Sequence, residues 1–258
     1  MNAQPLLQVD RLGRRFGGLA AVDDLSFHVA AGEIVSIIGP NGAGKTTAFN
    51  LITCIFPPSS GAIRFMGQDL AGLPLYRVAA RGIGRTFQNL RIFPNLSVRE
   101  NVLVGQSRHD GSGMLGALLR HGAFRAEQRR MAERADALIA LVELDHVADL
   151  LARNLAYGDR RRLEIARALA TDPTLLLLDE PAAGMNPAEV EELNTLIRRL
   201  RDELGKTILL VEHHMSLVME ISDRVIVMDQ GRKIAEGTPD QVRQDPAVIR
   251  AYLGSGLA

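Results

Sequence analysis

A glycine-rich segment near the start of the chain limits the possible folds more than any other feature. It reads Gly39-Pro40-Asn41-Gly42-Ala43-Gly44-Lys45-Thr46 and matches the phosphate-loop pattern G-x-x-x-x-G-K-[ST]. Glycines let such a loop wrap its backbone N–H groups around phosphates, and the start of the following helix adds positive potential. Lys45 supplies a charge for the β- and γ-phosphates, and the Thr46 hydroxyl can ligate Mg²⁺. The segment therefore predicts a nucleoside-triphosphate site, to which Thr47 also belongs.

The sequence on both sides of this loop has the context that the pattern requires. A strand-like run from Glu33 to Ile38 precedes the loop, and a helical run begins at Thr46. A glycine-rich turn with an unrelated lysine would need neither a strand before it nor a helix after it. We therefore favour the phosphate loop over that alternative.

Two acids follow an apolar run further along the chain. The segment is Leu175-Leu176-Leu177-Leu178-Asp179-Glu180. Asp179 can hold Mg²⁺, directly or through water, and Glu180 can orient or deprotonate an attacking water. A strand that ends in acids is often only a strand that enters solvent, but ligands bind at strand ends in open α/β sheets. Together with the phosphate loop, these acids predict hydrolysis of the bound triphosphate.

Short apolar runs bounded by Gly, Asp or Pro predict an α/β fold with a parallel-rich sheet. Because these runs are apolar almost throughout, they are typical of strands buried on both faces. The runs are Ile34–Ile38, Leu175–Leu178, Ile208–Val211 and Val225–Met228. A helix is predicted between the second and third runs, with Pro187 in its first turn. Its apolar face recurs at a 3.6-residue period and contains Val190, Leu193, Ile197, Leu200 and Leu204.

The rest of the chain predicts two additions to this core. Three short strands, Leu6–Val9, Leu25–Val29 and Ala62–Phe65, indicate a small antiparallel β subdomain. Residues 97–155 contain no convincing strand, which indicates an inserted helical subdomain. Its helical stripe is Met131, Ala135, Leu138, Ile139 and Val142, and a loop is expected at Asp110–Gly113 and Gly116. The tail from Pro239 should be helical, anchored by Val242, Val248, Ile249 and Tyr252.

These patterns predict four parts. Residues 1–88 form the first part of the nucleotide-binding core with the antiparallel β subdomain, and residues 89–159 form the helical subdomain. Residues 160–240 form the second part of the core, and residues 241–258 form the helical tail.

Composition and charge exclude several classes of protein. The 258 residues carry 30 Lys plus Arg and 30 Asp plus Glu, so the chain has no excess of basic residues. Proteins that bind nucleic acid usually have such an excess, so we do not expect a nucleic-acid partner. Cys54 is the only cysteine, which excludes an intrachain disulfide and a cysteine metal cluster. No run fits a transmembrane helix, and residues 1–15 have no apolar signal-peptide core. We therefore expect membrane association only through a partner.

The paired motifs resemble those of the nucleotide-binding subunit of ABC transporters, and the order of further motifs extends the resemblance over nearly the whole chain. The resemblance implies a P-loop NTPase core of the ABC ATPase type, with ATP and Mg²⁺ as its ligands. It implies that Phe16 stacks on adenine, that Gln88 in Arg85-Thr86-Phe87-Gln88 approaches Mg²⁺ and the lytic water, and that His213 contacts the γ-phosphate. The alternatives are that Phe16 is a plain core residue, that Gln88 is a surface glutamine and that His213 is a packed histidine.

The roles that follow are catalysis by Lys45, Glu180 and His213, and Mg²⁺ binding by Thr46, Gln88 and Asp179. Arg160, Arg161 and Arg162 are expected to form a solvated helix face, unless one of them meets phosphate or a permease.

Two other segments stand where ABC ATPases have loops that face a second subunit. The signature loop, whose usual form is L-S-G-G-Q, corresponds here to Leu155-Ala156-Tyr157-Gly158-Asp159. A loop that crosses between subunits corresponds to Gly184-Met185-Asn186-Pro187. The resemblance implies two ATPase subunits that face each other head to tail, so that residues 156–159 close the partner's ATP site. This chain departs from the pattern at Ala156, which lacks the serine hydroxyl, and at Asp159, which replaces glutamine. His214 stands where related chains often have aspartate.

A closer resemblance is to the longer ATPase of branched-chain amino-acid importers. It is carried by Leu155–Gly158, Arg161–Arg167, Asp179–Gly184 and Ala247–Gly254. It implies two membrane permeases, an external solute-binding protein as an indirect partner, and a place on the cytoplasmic face of the inner membrane. The solute, leucine-like or another small polar molecule, stays open, as does the choice between a homodimer and a heterodimer. The alternatives are an ABC ATPase for lipid or polysaccharide export and a soluble ABC ATPase outside transport.

Overall fold

The structure, a computed structural model, describes residues 4–106 and 121–254. The loop predicted at Asp110–Gly113 and Gly116 lies outside the described residues. The chain forms two compact units, one of Met1–Ile83 with Thr174–Ala258 and the other of Gly84–Pro173. The second unit is wider than the helical range predicted at 89–159, because the helix that starts at Tyr157 packs with the other helices of that unit.

A six-stranded sheet forms the centre of the first unit, in the order β10-β9-β3-β8-β7-β6. Strands β7, β8, β3 and β9 run parallel to one another, and β10 is antiparallel to β9. The strands are β3 (Ile34–Ile38), β6 (Ile83–Arg85), β7 (Leu175–Asp179), β8 (Thr207–Val211), β9 (Arg224–Asp229) and β10 (Arg232–Gly237). Every residue of β3, β7 and β8 is buried, as the apolar runs predict.

The predicted antiparallel sheet is also present in the first unit, in the order β2-β1-β4-β5. Its strands are β1 (Leu7–Phe16), β2 (Leu19–Val29), β4 (Ser60–Phe65) and β5 (Gln68–Asp69). The first two are longer than expected, because β1 and β2 continue as a half-exposed hairpin beyond the apolar residues that marked them.

Six helices complete the described part of the first unit. They are α1 (Lys45–Ile52), α2 (Leu75–Ala80), α6 (Pro187–Asp202), α7 (Met215–Ile221), α8 (Pro239–Gln244) and α9 (Pro246–Gly254). The start of α6 is fixed by Asn186, whose side chain accepts hydrogen bonds from the N–H groups of Ala188 and Glu189 in a capping box.

Two apolar residues are more exposed than the sequence predicts: Leu204, expected on the apolar face of α6, and Ile249, expected to anchor the tail. Leu204 lies beyond the end of α6 at Asp202 and is 43% exposed, because the chain leaves the helix through Gly205 at a φ of 62°. Ile249 in α9 is likewise half exposed, whereas Val242 and Val248 are buried.

The described part of the second unit is helical, as predicted. It contains α3 (Val98–Gln106), α4 (His121–Leu141) and α5 (Tyr157–Ala170), with two short 3₁₀ turns at Asp145–Val147 and Ala152–Asn154. Ala135, Ile139 and Val142 of the predicted stripe are buried. None of the helices within residues 4–106 and 121–254 has the length and apolar composition needed to cross a bilayer.

Candidate active site

The glycine-rich loop connects β3 to α1 and packs closely on its neighbours. Gly44 precedes α1 with a φ of 96°, and a Cβ atom there would lie 2.3 Å from the Ala21 carbonyl oxygen of β2. The N–H of Gly231 donates to the Ala43 carbonyl oxygen at 3.0 Å, and the N–H of Asp23 donates to the Gly231 oxygen at 2.8 Å. The loop therefore packs against β2 and is hydrogen-bonded to the turn between β9 and β10, while its tip at Asn41 and Gly42 stays exposed. The free N–H groups at the start of α1 suit an anion.

Lys45 lies inside this loop and is only 7% exposed. Its ammonium donates to the carbonyl oxygens of Gly39 at 2.7 Å and Pro40 at 3.0 Å. Burial lowers the pKa of Lys45, and the carboxylates of Glu180, Asp179 and Glu212 oppose that shift. The positive charge of the lysine and the negative charge of these carboxylates thus act on each other, so a bound phosphate and a cation would both find a complementary charge here.

The predicted acids stand at the end of β7, beside the ends of β8 and β3. Asp179 is 1% exposed, and its Cα pairs with that of Val211 in β8, which in turn pairs with Ile37 in β3. The N–H of Glu180 donates to the Val211 carbonyl oxygen at 2.9 Å. Glu180 has a φ of 49°, an uncommon value for a residue with a side chain and one that is often found at functional sites.

His213 follows β8 and lies close to the second acid. Its Nδ1 atom is 3.9 Å from Oε2 of Glu180, and the side chain is half exposed. The His214 ring lies beside it, with the two ring centroids 4.8 Å apart. The structure therefore brings Lys45, Asp179, Glu180 and His213 to one edge of the sheet, where the parallel strands end.

Glu212 also lies at this edge, although the motifs did not single it out. It is fully buried, and its Oε1 atom accepts from the N–H of Ala182 at 2.9 Å. Its Oε2 atom accepts from the N–H groups of His213 at 2.7 Å and His214 at 3.0 Å. One carboxylate thus holds the loops after β7 and β8 together. The signal was present in the sequence, because Glu212 follows an apolar strand just as Glu180 does.

Phe16 is not a core residue. It ends β1, is 42% exposed, and meets Phe56 edge to face with the ring centroids 5.7 Å apart. The guanidinium carbon of Arg14 lies 4.8 Å from the centre of the Phe16 ring. An exposed aromatic face of this kind suits the stacking of a base, whereas the alternative of a plain core phenylalanine does not fit.

Thr46 and Asp179 have the chemistry that a magnesium ion prefers. A hydroxyl at the first turn of α1 and a carboxylate at the end of β7 are both hard oxygen donors. Thr46 and Thr47 are half-buried on that first turn, behind the exposed loop tip. The donors present in the first unit therefore fit Mg²⁺.

The signature residues and Gln88 belong to the second unit. Ala156 stands at the N-cap of α5 without a side-chain hydrogen bond, Tyr157 is 44% exposed, Gly158 is buried and Asp159 lies in the first turn. The Gln88 carbonyl oxygen accepts from Nη2 of Arg161 at 2.8 Å. Because Arg161 is buried, the expectation that all three arginines form a solvated face is wrong at this residue.

A phosphate loop between a buried parallel strand and a helix, with two acids at the end of a nearby strand, defines a P-loop nucleoside triphosphatase. Comparison with known proteins narrows this class. A family model described as ABC transporter matches residues 22–183, and one described as Branched-chain amino acid ATP-binding cassette transporter matches residues 232–258. The chain therefore belongs to the ABC transporter family, as an ATP-binding protein and an ATPase.

Individual relatives agree with this assignment. The high-affinity branched-chain amino acid transport ATP-binding protein LivG of Escherichia coli strain K12 is 50% identical, over 98% of this chain and 99% of LivG. The lipopolysaccharide export system ATP-binding protein LptB of the same strain is 40% identical, over 96% and 97%. A crystal structure of a nucleotide-free ATP-binding cassette from an ABC transporter has a TM-score of 0.84 and 31% identity, over 96% of this chain and 99% of that chain.

The packing of the loop predicts that Gly44→Ala is more harmful than Gly42→Ala. Both glycines have a positive φ, 96° and 82°, but a Cβ atom at Gly42 would have no neighbour within 4 Å. The clash with the Ala21 carbonyl should therefore cost Gly44→Ala about 1–3 kcal/mol of unfolding free energy beyond the cost at Gly42. Urea unfolding without nucleotide measures this difference. Equal losses in the two variants would mean that the contact with β2 does not constrain the loop.

The three hydrogen bonds to Glu212 predict that Glu212→Gln is destabilising. In either orientation, the new amide NH₂ group faces at least one backbone N–H, so a buried donor loses its acceptor. We expect a loss of about 1.5–3 kcal/mol in urea unfolding. Glu203→Gln is the control, because Glu203 is exposed just after α6 and its side chain pairs with Arg199 on the helix surface. The control should lose less than about 0.5 kcal/mol of unfolding free energy. A Glu212→Gln variant as stable as this control would mean that Glu212 does not hold the loops after β7 and β8 together.

Proposed function

We propose that this chain is the ATP-hydrolysing subunit of an ABC importer for branched-chain amino acids or similar small polar solutes. The observation that carries the proposal is the identity of 50% with LivG over nearly the full length of both chains. The C-terminal match at residues 232–258 supports it, because that family model describes branched-chain amino acid transporters. The permeases and the external binding protein, rather than this chain, would select the solute.

The geometry of the first unit supports a specific course for hydrolysis. The triphosphate lies in the loop of residues 39–47, with Lys45 beside the β- and γ-phosphates and Phe16 against the adenine. Thr46 and Asp179 of the first unit would hold Mg²⁺, for which the family resemblance also names Gln88, and the ion would supply positive charge against the phosphates. Glu180 polarises the attacking water, and His213 contacts the γ-phosphate and stabilises the charge that develops there. The 3.9 Å between His213 Nδ1 and Glu180 Oε2 supports action on the same group of atoms.

A second ATPase subunit would complete the site. Residues 156–159 lie at the start of α5, a helix of 14 residues whose N-terminal N–H groups favour an anion. Ala156 has no hydroxyl to offer, so the backbone N–H groups at Tyr157 and Gly158 would make the contact with the partner's ATP. Asp159 stabilises the start of the helix but adds a negative charge near that phosphate. The partner, a paralogue or a second copy, would bind head to tail.

Membrane association would follow from two permease subunits at the cytoplasmic face of the inner membrane. Residues 88–101 connect Gln88 to α3 and would transmit closure of the ATPase pair to the permeases. Lipid or polysaccharide export is the second candidate. It is supported by the 40% identity with LptB, which is lower than the 50% identity with LivG. No nucleic-acid partner is proposed.

Isolation of the intact membrane complex tests this function. In proteoliposomes, the import proposal predicts that an external binding protein loaded with leucine increases ATP hydrolysis by the complex. Stimulation by a lipid or a polysaccharide instead, with no effect of small solutes, would assign the chain to export.

The place of Glu180 predicts that Glu180→Gln binds ATP normally but hydrolyses it at least about 100-fold more slowly, the usual size of a general-base contribution. The amide keeps the shape of the side chain but cannot accept the proton of the attacking water. Calorimetric ATP binding and phosphate release from the assembled complex measure the two effects separately. Glu191→Gln, on the exposed side of α6, serves as the matched control. Near-normal turnover of Glu180→Gln would remove Glu180 from this role.

A further inference from the structure

A charged pair is buried in the helical unit at the start of α5. The side chains of Arg161 and Glu164 are 4% and 5% exposed, and Nη1 of Arg161 lies 3.4 Å from Oε2 of Glu164. Charged side chains are almost never buried to this extent unless they are paired and their remaining hydrogen-bonding capacity is used. The other partners of this pair therefore indicate its purpose.

Those partners are backbone groups of the glutamine segment, residues 86–91, which has no helix or strand of its own. Arg161 donates from Nη1 to the Phe87 carbonyl oxygen at 3.0 Å and from Nη2 to that of Gln88 at 2.8 Å. Oε1 of Glu164 accepts from the N–H groups of Phe87 at 3.1 Å and Arg91 at 3.3 Å. The segment has no ladder of hydrogen bonds of its own, and here one ion pair supplies partners for four of its backbone groups. The pair thus fixes the path of the chain on both sides of Gln88.

The same guanidinium also reaches the signature loop. Nη2 of Arg161 donates to the Tyr157 hydroxyl oxygen at 3.0 Å, and its carbon lies 5.5 Å from the centre of the Tyr157 ring. A single nitrogen therefore contacts the Gln88 carbonyl and a signature side chain. The planar fork of arginine makes this arrangement possible, whereas a lysine ammonium has no such fixed geometry.

We propose that the buried Arg161–Glu164 pair is a positioning device that holds the glutamine segment and the signature loop of one subunit in a fixed relation. The inference rests on the proposed function, in which Gln88 serves the subunit's own ATP and Tyr157 faces the partner's ATP. Because one guanidinium contacts both segments, a shift of Gln88 on ATP binding at one site is passed to the signature loop at the other. Arg161 is a positioning residue, because it acts through Gln88 and its side chain is only 4% exposed.

The conservative variant Arg161→Lys tests this proposal in the assembled complex. It keeps the positive charge beside Glu164 but cannot bridge the Phe87, Gln88 and Tyr157 oxygens together. We expect kcat for ATP hydrolysis to fall about 10- to 100-fold, as small misplacements of a catalytic group do. KM for ATP should change by less than about twofold, because the phosphate loop is untouched. Arg162→Lys is the matched control, because Arg162 pairs with the exposed Glu143.

A double-mutant cycle with Gln88→Ala separates positioning from a purely structural role. If Arg161 acts through the Gln88 side chain, Arg161→Lys should lower kcat by less than about twofold in the Gln88→Ala background. An equal fall in both backgrounds, or an unchanged kcat in Arg161→Lys alone, would overturn the proposal.

Hydrogen exchange supplies a second measurement that does not depend on the arginine variant. Glu164→Gln should speed exchange of the Phe87 and Arg91 amides, and unchanged exchange would also overturn the proposal. Failure of the proposed hydrolysis site, on which the inference rests, is distinguishable, because wild type and Arg162→Lys would then both lack ATP hydrolysis. If both hydrolyse ATP and Arg161→Lys matches them, only the positioning role fails.

Discussion

The parallel alignment of β3, β7 and β8 is the constraint on which the site depends. Pairing of Ile37 with Val211 and of Asp179 with Val211 makes these strands end at the same edge. The residues that follow each strand therefore meet, although they are far apart in sequence. A lysine and three carboxylates converge there only because the strands beneath them are buried on both faces and are not free to slide.

Buried carboxylates hold the loops that leave this framework. Glu212 accepts three backbone N–H groups in the first unit, and Glu164 accepts two in the second. Both act where the chain has no regular secondary structure, so a side chain replaces the missing ladder of hydrogen bonds. Burial raises the pKa of Glu164, and the N–H groups of Phe87 and Arg91, followed by Arg161, oppose that rise. Hydrogen bonds from the loop backbone thus offset part of the cost of burying each carboxylate, and the same bonds order the loop.

Sequence patterns predicted the parts of this protein whose signals are local. The apolar strands, the antiparallel sheet and the helical insertion all follow from short runs of residue types, and the phosphate loop and the acids at 179 and 180 follow from motifs. The residues that were missed, Glu212 and the Arg161–Glu164 pair, are charged side chains that a pattern assigns to solvent. Their distant partners, Ala182 for Glu212 and the Phe87–Arg91 segment for the pair, lie outside any local sequence window. Leu204 shows the opposite error, since its periodicity continues past the residue where α6 ends.

The central claim is that Lys45 and the acids at 179 and 180 bind the same magnesium triphosphate. Calorimetric titration of ATP with Mg²⁺ into the purified chain tests it most directly, with Lys45→Ala compared against wild type. Lys206→Ala, next to the start of β8 at the opposite end of that strand, is the control. The account predicts that Lys45→Ala loses at least about 10-fold in affinity, since a charge-assisted contact to phosphate is removed. An unchanged Kd in Lys45→Ala would contradict it.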